Sequence, residues 1–188
     1  MADYRAADTE ADEAVILVDA DDRELGTAPK LAVHRDGRLH RAISVQITDA
    51  RGRLLLQKRH IGKYHSGGLW TNTCCSHPHH GESTLGAAQR RLAREMGITC
   101  PLAPLFTTTY RAGLDNEMIE HEIVHVFGGT YEGPIKPDPA EADGYDWVSP
   151  EMLRRNVEYD PERYSAWFRI YVMDHWVEIA SLARTEQS

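Results

Sequence analysis

Two β-rich segments separated by four turn-forming residues constrain the fold of this chain more than any other feature. Residues 42–48 (AISVQIT) and 53–58 (RLLLQK) flank Asp49-Ala50-Arg51-Gly52, a hairpin signal between two apolar strands. The rest of the chain supplies partners for that pair. Residues 14–19 (AVILVD) read as a short strand closed by a turn. Residues 26–38 mix Pro29, Gly37 and charges, and read as loop with at most a helical turn. Leu85, Ala88, Leu92 and Met96 recur at three and four, so residues 84–96 form a helix that Gly97 stops. Strands follow at 105–110, 119–127 (IEHEIVHVF) and 145–148, with loops at 111–116 and 128–144. Ser149-Pro150 opens a helix with an N-cap and a proline at its first position. A final helix over 161–182 carries Tyr164, Trp167, Phe168, Tyr171, His175 and Ile179 on one face. The expectation is a single α/β (α+β) domain over 14–183, between an acidic, disordered leader at 1–13 and a short tail at 184–188.

Charge and composition narrow the function. The net charge is −8, and half of it sits in the leader, where five carboxylates oppose Arg5. The remainder speaks against a nucleic-acid surface but leaves room for a local basic cluster that holds an anionic small molecule. No apolar run approaches the ~18 residues of a membrane span, and the leader lacks the basic and apolar regions of a secretory signal. Three cysteines, two of them adjacent, make a poor disulfide framework, so the expected compartment is the reducing cytoplasm.

The chemistry-bearing residues gather at four places. In Trp70-Thr71-Asn72-Thr73-Cys74-Cys75-Ser76-His77-Pro78, Cys75 and His77 are two positions apart and leave an extended chain on the same side. Glu120 and Glu122 likewise share a strand face, and that face continues as Val124 and Val126. Carboxylates in line with core residues cost several kcal/mol unless a metal or a paired charge receives them. His34, His40 and His77 are candidate metal ligands, although His79, His80 and His121 qualify equally by residue type. Imidazoles with carboxylates suit Zn, Mn or Fe(II). Lys30, Arg59, Lys63 and Arg91 are basic groups near loops or on the helix; Arg91 and Glu95 stand at i,i+4, where an ordinary helical ion pair also accounts for them.

Residues 76–98 read S-x5-E-x7-R-R-L-x-R-E-x-G-I, which resembles the Nudix box, with Glu82, Arg90, Leu92, Glu95, Gly97 and Ile98 matching. Ser76 replaces the box's first glycine, and Arg91 and Arg94 replace two glutamates of the metal cluster that a Nudix hydrolase needs. A Nudix helix so altered, preceded by T-N-T-C-C-S-H-P and followed by Y-R-A and E-x-E, resembles the type I isopentenyl diphosphate isomerases over about 15–176. The resemblance implies a Nudix-like mixed sheet sandwiched by helices. It implies Cys75 as the catalytic thiol, Glu122 as its partner acid/base with Tyr110 beside it, and Trp167 over the substrate. The segment before Trp167 reads Ser165-Ala166 where the family often has Thr-Pro. His34, His40, His77, Glu120 and Glu122 would bind one divalent metal (Mn²⁺, Zn²⁺ or Mg²⁺), and Glu95 the Mg²⁺ carried with the diphosphate. Lys30, Arg59, Lys63 and Arg91 would contact the diphosphate itself. The implied enzyme is a monomer acting on a small allylic or homoallylic diphosphate, with no nucleic-acid or membrane partner. The alternative on the same scaffold is a Nudix-type diphosphate hydrolase.

Overall fold

Strand β3 (His40–Thr48) is the axis of the molecule, and four of the other eight strands among the described residues pair with it directly. The computed structural model describes residues 13–183, so the leader expected at 1–13, save Glu13, and the tail at 184–188 lie outside the described residues. β1 (Ala14–Val18) pairs antiparallel with β2 (Glu24–Pro29) and meets β3 at Leu17↔His40. The expected loop before residue 38 is instead β2 followed by α1 (Lys30–Asp36), which Gly37 closes in the left-handed conformation at φ 62°.

The turn at 49–52 forms, with Gly52 N donating to Asp49 O at 2.9 Å, but the expected hairpin does not extend beyond it. β3 and β4 (Leu54–Arg59) pair only at Thr48↔Leu54. The reason is Thr73, whose hydroxyl accepts from Ile47 N (3.0 Å) and donates to Leu55 O (2.8 Å). It bridges two strands that would otherwise pair with each other. β4 pairs with β5 (Trp70–Thr71) and β9 (Ala142–Val148) instead. β3 takes β6 (Cys74–Ser76) antiparallel and β8 (Ile119–Thr130) parallel, and β8 carries β7 (Ala103–Gly113). β7, β8 and β9 are each longer than their sequence patterns suggest, because tertiary pairing extends them through Gly and polar positions.

Helices cover both faces. On one, α2 (Thr84–Met96) packs Ala87, Ala88, Leu92 and Met96 against Ile43, Val45, Ile47 and Cys74. Its Ser83 cap accepts from Gly86 N. On the other, α3 (Pro150–Tyr159), α4 (Ala166–Asp174) and α5 (Trp176–Leu182) bury Leu153, Phe168, Tyr171 and Ile179 against Ala42, Leu56, Val124 and Val126. The single final helix expected over 161–182 is thus a 3-10 turn and two helices. His175 leaves helical geometry (φ −123°, ψ 32°), stacks on Phe106 at 4.2 Å and meets Thr108 Oγ1 at 2.9 Å. No helix among the described residues is long and apolar enough to cross a membrane.

Gly52 is the glycine this architecture most needs. It sits at φ 72°, and a Cβ there would stand 2.4 Å from Ala183 O at the end of α5. Gly52→Ala is expected to destabilise by about 1–3 kcal/mol, visible as a melting midpoint lower by several degrees. Gly113→Ala, with nothing within 4 Å of the new methyl, is the control. Equal midpoints for the two variants would refute this account of the turn.

Candidate active site and metal centre

Strand register assembles the site. β3 runs between β8 and β6, so His40 lies opposite Glu122 and Ser44 opposite Cys75. Across β8, Tyr110 stands opposite Glu122 and Ala112 opposite Glu120. α1 contributes Lys30 and His34, the end of β4 and the loop after it contribute Arg59 and His65, and α4 contributes Trp167. These side chains, with Cys75, His77 and Tyr110, line a partly open cavity of about 30 Å³. That is room for an ion or one or two waters.

The two adjacent cysteines face opposite layers, as alternation requires. Cys74 is fully buried among the α2 contacts. Cys75 lies on the cavity side, with Sγ 3.1 Å from Asn72 Oδ1 and 3.4 Å from Ser44 Oγ. Asn72 is the hub of this wall. Its Nδ2 donates to Ser44 Oγ (2.8 Å), Val45 O (3.1 Å) and Cys74 O (2.8 Å), while its Oδ1 also accepts Trp167 Nε1–H at 3.2 Å. Trp167 therefore reaches the cavity without the proline expected before it, because Ser165 N donates to Trp70 O and Ser165 Oγ to Thr71 Oγ1.

Donor atoms of His34, His40, His77 and Glu122 all lie within 4.8 Å of one another, and a second set of His34, His65 and Glu120 meets the same limit. The donor chemistry fits a divalent metal. His34 Nδ1–H donates to Lys30 O (2.8 Å) and His40 Nδ1–H to Arg38 O (2.9 Å). A carbonyl can only accept, so these contacts place the proton on Nδ1 and turn the Nε2 lone pairs inward. His34 Nε2 and His40 Nε2 then have no hydrogen-bond partner; His40 Nε2 is 3.2 Å from Glu122 Oε1 but not aligned with it. Buried polar atoms left in this state cost on the order of 1–3 kcal/mol each. His77 Nε2–H donates to Glu122 Oε1 at 3.1 Å, and its Nδ1 has no partner, so shifting the ring proton to Nδ1 turns a third Nε2 lone pair toward the same place without releasing a proton.

Burial and neighbouring charges set which of these groups keep their protons. Burial pushes the Cys75 thiol up to about 12, so it keeps its proton at neutral pH. Tyr110 is driven well above its usual range by burial and the two glutamates, and its hydroxyl lies 2.7 Å from Glu122 Oε2 and 2.9 Å from Glu120 Oε2. Burial raises both carboxyls, but the nearby His40 imidazole and the hydrogen bond from His77 outweigh it at Glu122 and hold that group well below the usual carboxylate range. Glu120 lacks that support; burial and the neighbouring Glu122 charge hold it well above. Burial also lowers His34 to about 4 and His77 to about 3, so both are neutral and ready to ligate. A cation entering here displaces no net proton from neutral His34 or His77, but below the raised Glu120 titration it competes with the Glu120 proton. Metal affinity is therefore expected to rise with pH until Glu120 ionises. Calorimetry over a pH series, in buffers of different ionisation enthalpy, should show proton release on binding Mn²⁺ or Zn²⁺ that is smaller in Glu120→Gln by up to one proton per ion at acidic pH. Equal release from the variant would contradict the assignment.

The four expected basic contacts divide into two pairs. Lys30 and Arg59 line the cavity, Arg59 with its guanidinium 5.2 Å from the Trp167 ring. Lys63 and Arg91 instead converge on Glu141, Arg91 Nη2 at 3.3 Å from Oε1 and Lys63 through its ammonium to Oε2. Arg91 also forms the i,i+4 pair with Glu95 (2.8 and 3.0 Å to Oε1), whose other oxygen accepts from Gln57 at 3.1 Å. His79 and His80 are exposed and pair with Glu13 and Glu24, and His121 reaches Gly37 O, so the structure brings none of these three to the centre. Sequence reading missed Ser44, Asn72, His65 and Glu141. Only Asn72 carried a signal, as part of the stretch that leads to Cys75.

Residues 38–168 match the NUDIX domain. The chain is 44% identical over 177 residues to the isopentenyl-diphosphate Delta-isomerase of Serratia proteamaculans, covering 90% of this chain and 99% of that protein. It is 51% identical over 156 residues to isopentenyl-diphosphate Delta-isomerase 1 of Aromatoleum aromaticum, covering 83% and 88%. Among solved structures, DR0079 from Deinococcus radiodurans superimposes with a TM-score of 0.69 at 16% identity, over 94% of this chain and all of that one, a likeness of fold.

Proposed function

Because this chain belongs to the NUDIX family, and within it to the isopentenyl-diphosphate Delta-isomerases, we propose that it interconverts isopentenyl diphosphate and dimethylallyl diphosphate. The observation that carries the reading is one small cavity holding both a protonated thiol and a phenol–carboxylate unit, with an indole in its wall.

Moving the double bond requires a proton added at the terminal methylene carbon and another removed from C2. Positive charge builds on the tertiary carbon between the two steps. Cys75 and the Tyr110–Glu122 unit are the two proton-transfer groups, one giving and the other taking, with roles exchanged in the reverse direction. Asn72 and Ser44 hold the thiol toward the cavity. The face of Trp167 favours the developing cation by cation–π attraction, about 2 kcal/mol or more when desolvated. Exclusion of water matters equally, since water would trap the cation as an alcohol. At about 30 Å³ the cavity is too small for a five-carbon diphosphate, so its wall must open for substrate and close before chemistry.

His34, His40, His77, Glu120 and Glu122 would hold one divalent ion, which when bound would fix the orientation of Glu122 and favour its ionised form. Lys30, Arg59, Lys63 and Arg91 take the diphosphate, the last two by exchanging Glu141 for phosphate oxygens. Glu95 would hold the Mg²⁺ that accompanies the diphosphate. Arg91 and Arg94 in place of acidic box positions weigh against hydrolysis.

The test is one incubation of the protein with isopentenyl diphosphate, Mg²⁺ and Mn²⁺ in D₂O. Acid-labile allylic product carrying deuterium, without inorganic phosphate, is expected. Phosphate release at a rate matching isomerisation would favour the hydrolase.

A further inference from the structure

His65 lies on the loop between β4 and β5, and neither the proton-transfer scheme nor the five proposed metal ligands use it. It is 5% exposed and lines the cavity. Its Nδ1 meets the Ser66 hydroxyl at 3.3 Å, so Nε2 is the atom that faces Glu120 Oε1, 3.8 Å away. That separation is too long for a hydrogen bond. Two donors bound to one ion at roughly 2.1 Å each are roughly 3.0 Å apart when adjacent and roughly 4.2 Å apart when opposite. The gap between His65 and Glu120 falls inside that interval.

The loop carrying His65 is built to hold the ring there. Arg59 donates to His65 O and Ser66 O, both at 3.2 Å. Ser66 N donates to Asp115 (2.9 and 3.2 Å), and Asn116 Nδ2 to Tyr64 O at 3.0 Å. The imidazole also stacks against His34, with centroids 5.9 Å apart. A side chain whose backbone is pinned on both sides is preorganised rather than merely nearby.

His34 decides how the two donor sets relate. Its Nδ1 is committed to Lys30 O, so only Nε2 is available, and one ring nitrogen serves one ion. The set His34–His40–His77–Glu122 and the set His34–His65–Glu120 therefore cannot hold two ions independently. Tyr110 joins them, its hydroxyl within reach of both glutamates.

We infer that the two sets are halves of one centre, and that His65 is a sixth ligand of the ion, giving four imidazoles and two carboxylates. This rests on the metal site proposed above and sharpens it. Four imidazoles select a borderline ion of the Zn²⁺ class over Mg²⁺, whose chemistry prefers oxygen. The fourth imidazole also ties the loop over the cavity to the ion, so metal binding and loop position are coupled.

The experiment uses the full-length protein, ¹⁵N-labelled and loaded with ¹¹³Cd²⁺ as a spin-active probe for this class of ion. One-bond ¹⁵N–¹¹³Cd couplings count coordinated imidazoles directly, and a hydrogen bond outside the coordination sphere gives none. Four coupled imidazoles are expected in the wild type. His65→Ala should leave three and weaken Zn²⁺ binding ~10–100-fold, whereas His60→Ala, at a partly exposed ring, should leave four. Three coupled imidazoles in the wild type, or four in His65→Ala, would overturn the role of His65 while leaving the five-ligand site intact. Bound cadmium without any imidazole coupling, or no bound cadmium, would overturn the metal site and this inference together. The wild-type count alone decides the matter if His65→Ala does not fold.

Discussion

Cys75→Ser is expected to lower isomerisation by about 10³–10⁴-fold, while Cys74→Ser stays within a few-fold of the wild type. Adjacent residues make the comparison sharp, since the substitution and its position along the chain are nearly the same. The Cys75 thiol lies in the cavity wall, oriented by Asn72 and Ser44. A serine hydroxyl is a far weaker acid than a thiol, and losing a positioned proton-transfer group costs 10²–10⁴ in rate. The expected loss corresponds to about 4–5.5 kcal/mol of transition-state stabilisation. Cys74 is buried on the other side of β6 against α2, so Cys74→Ser puts a hydroxyl into a packed apolar layer. Its cost should appear as stability, about 1–3 kcal/mol, and not as turnover. Measurement of kcat and of urea midpoints for both variants separates the two effects. Equal losses of kcat would show that the proton-transfer face has been misassigned.

His77→Ala is expected to abolish tight binding of the divalent ion and, with it, at least 10²-fold of the activity. His77 sits 3.1 Å from Glu122 and within the four-ligand set, so its loss takes a donor and a support for Glu122 together. In the wild type, saturating Mn²⁺ or Zn²⁺ should raise the unfolding free energy by roughly 2.7 kcal/mol at a hundredfold excess over Kd. That increment should vanish in His77→Ala. His79→Ala and His80→Ala provide neighbouring controls, with side chains 55% and 74% exposed and directed to Glu13 and Glu24. Both should retain full metal content and the full thermal increment. Stoichiometric metal in purified His77→Ala would remove that residue from the centre.

These expectations separate what local sequence determined from what only the tertiary structure decided. Alternation along a strand was enough to place Glu120 and Glu122 on one face and to set Cys75 opposite Cys74. It also placed Val124 and Val126 in the core beside the glutamates. The helix over Thr84–Met96 was legible from its period and its Gly97 stop, and the Arg91–Glu95 pair from i,i+4 spacing. Each of these depends on residues a few positions apart, where backbone geometry alone fixes direction.

The partners of those residues lie far along the chain, and no period announces them. His40 faces Glu122 because β3 and β8 run parallel in a particular register, 82 residues apart in sequence. The 42–58 hairpin opens because the Thr73 hydroxyl, from a distant loop, stands between its strands. The final helix breaks at His175 because Phe106 and Thr108 on β7 hold that ring. His65 and Glu141 had no local signal: a polar residue in a loop and a carboxylate in a proline-rich segment look like solvated surface until the fold brings a second imidazole or a guanidinium against them. Sequence determined which side chains leave the backbone together. Competition among distant strands for the edges of β3 decided which of them meet.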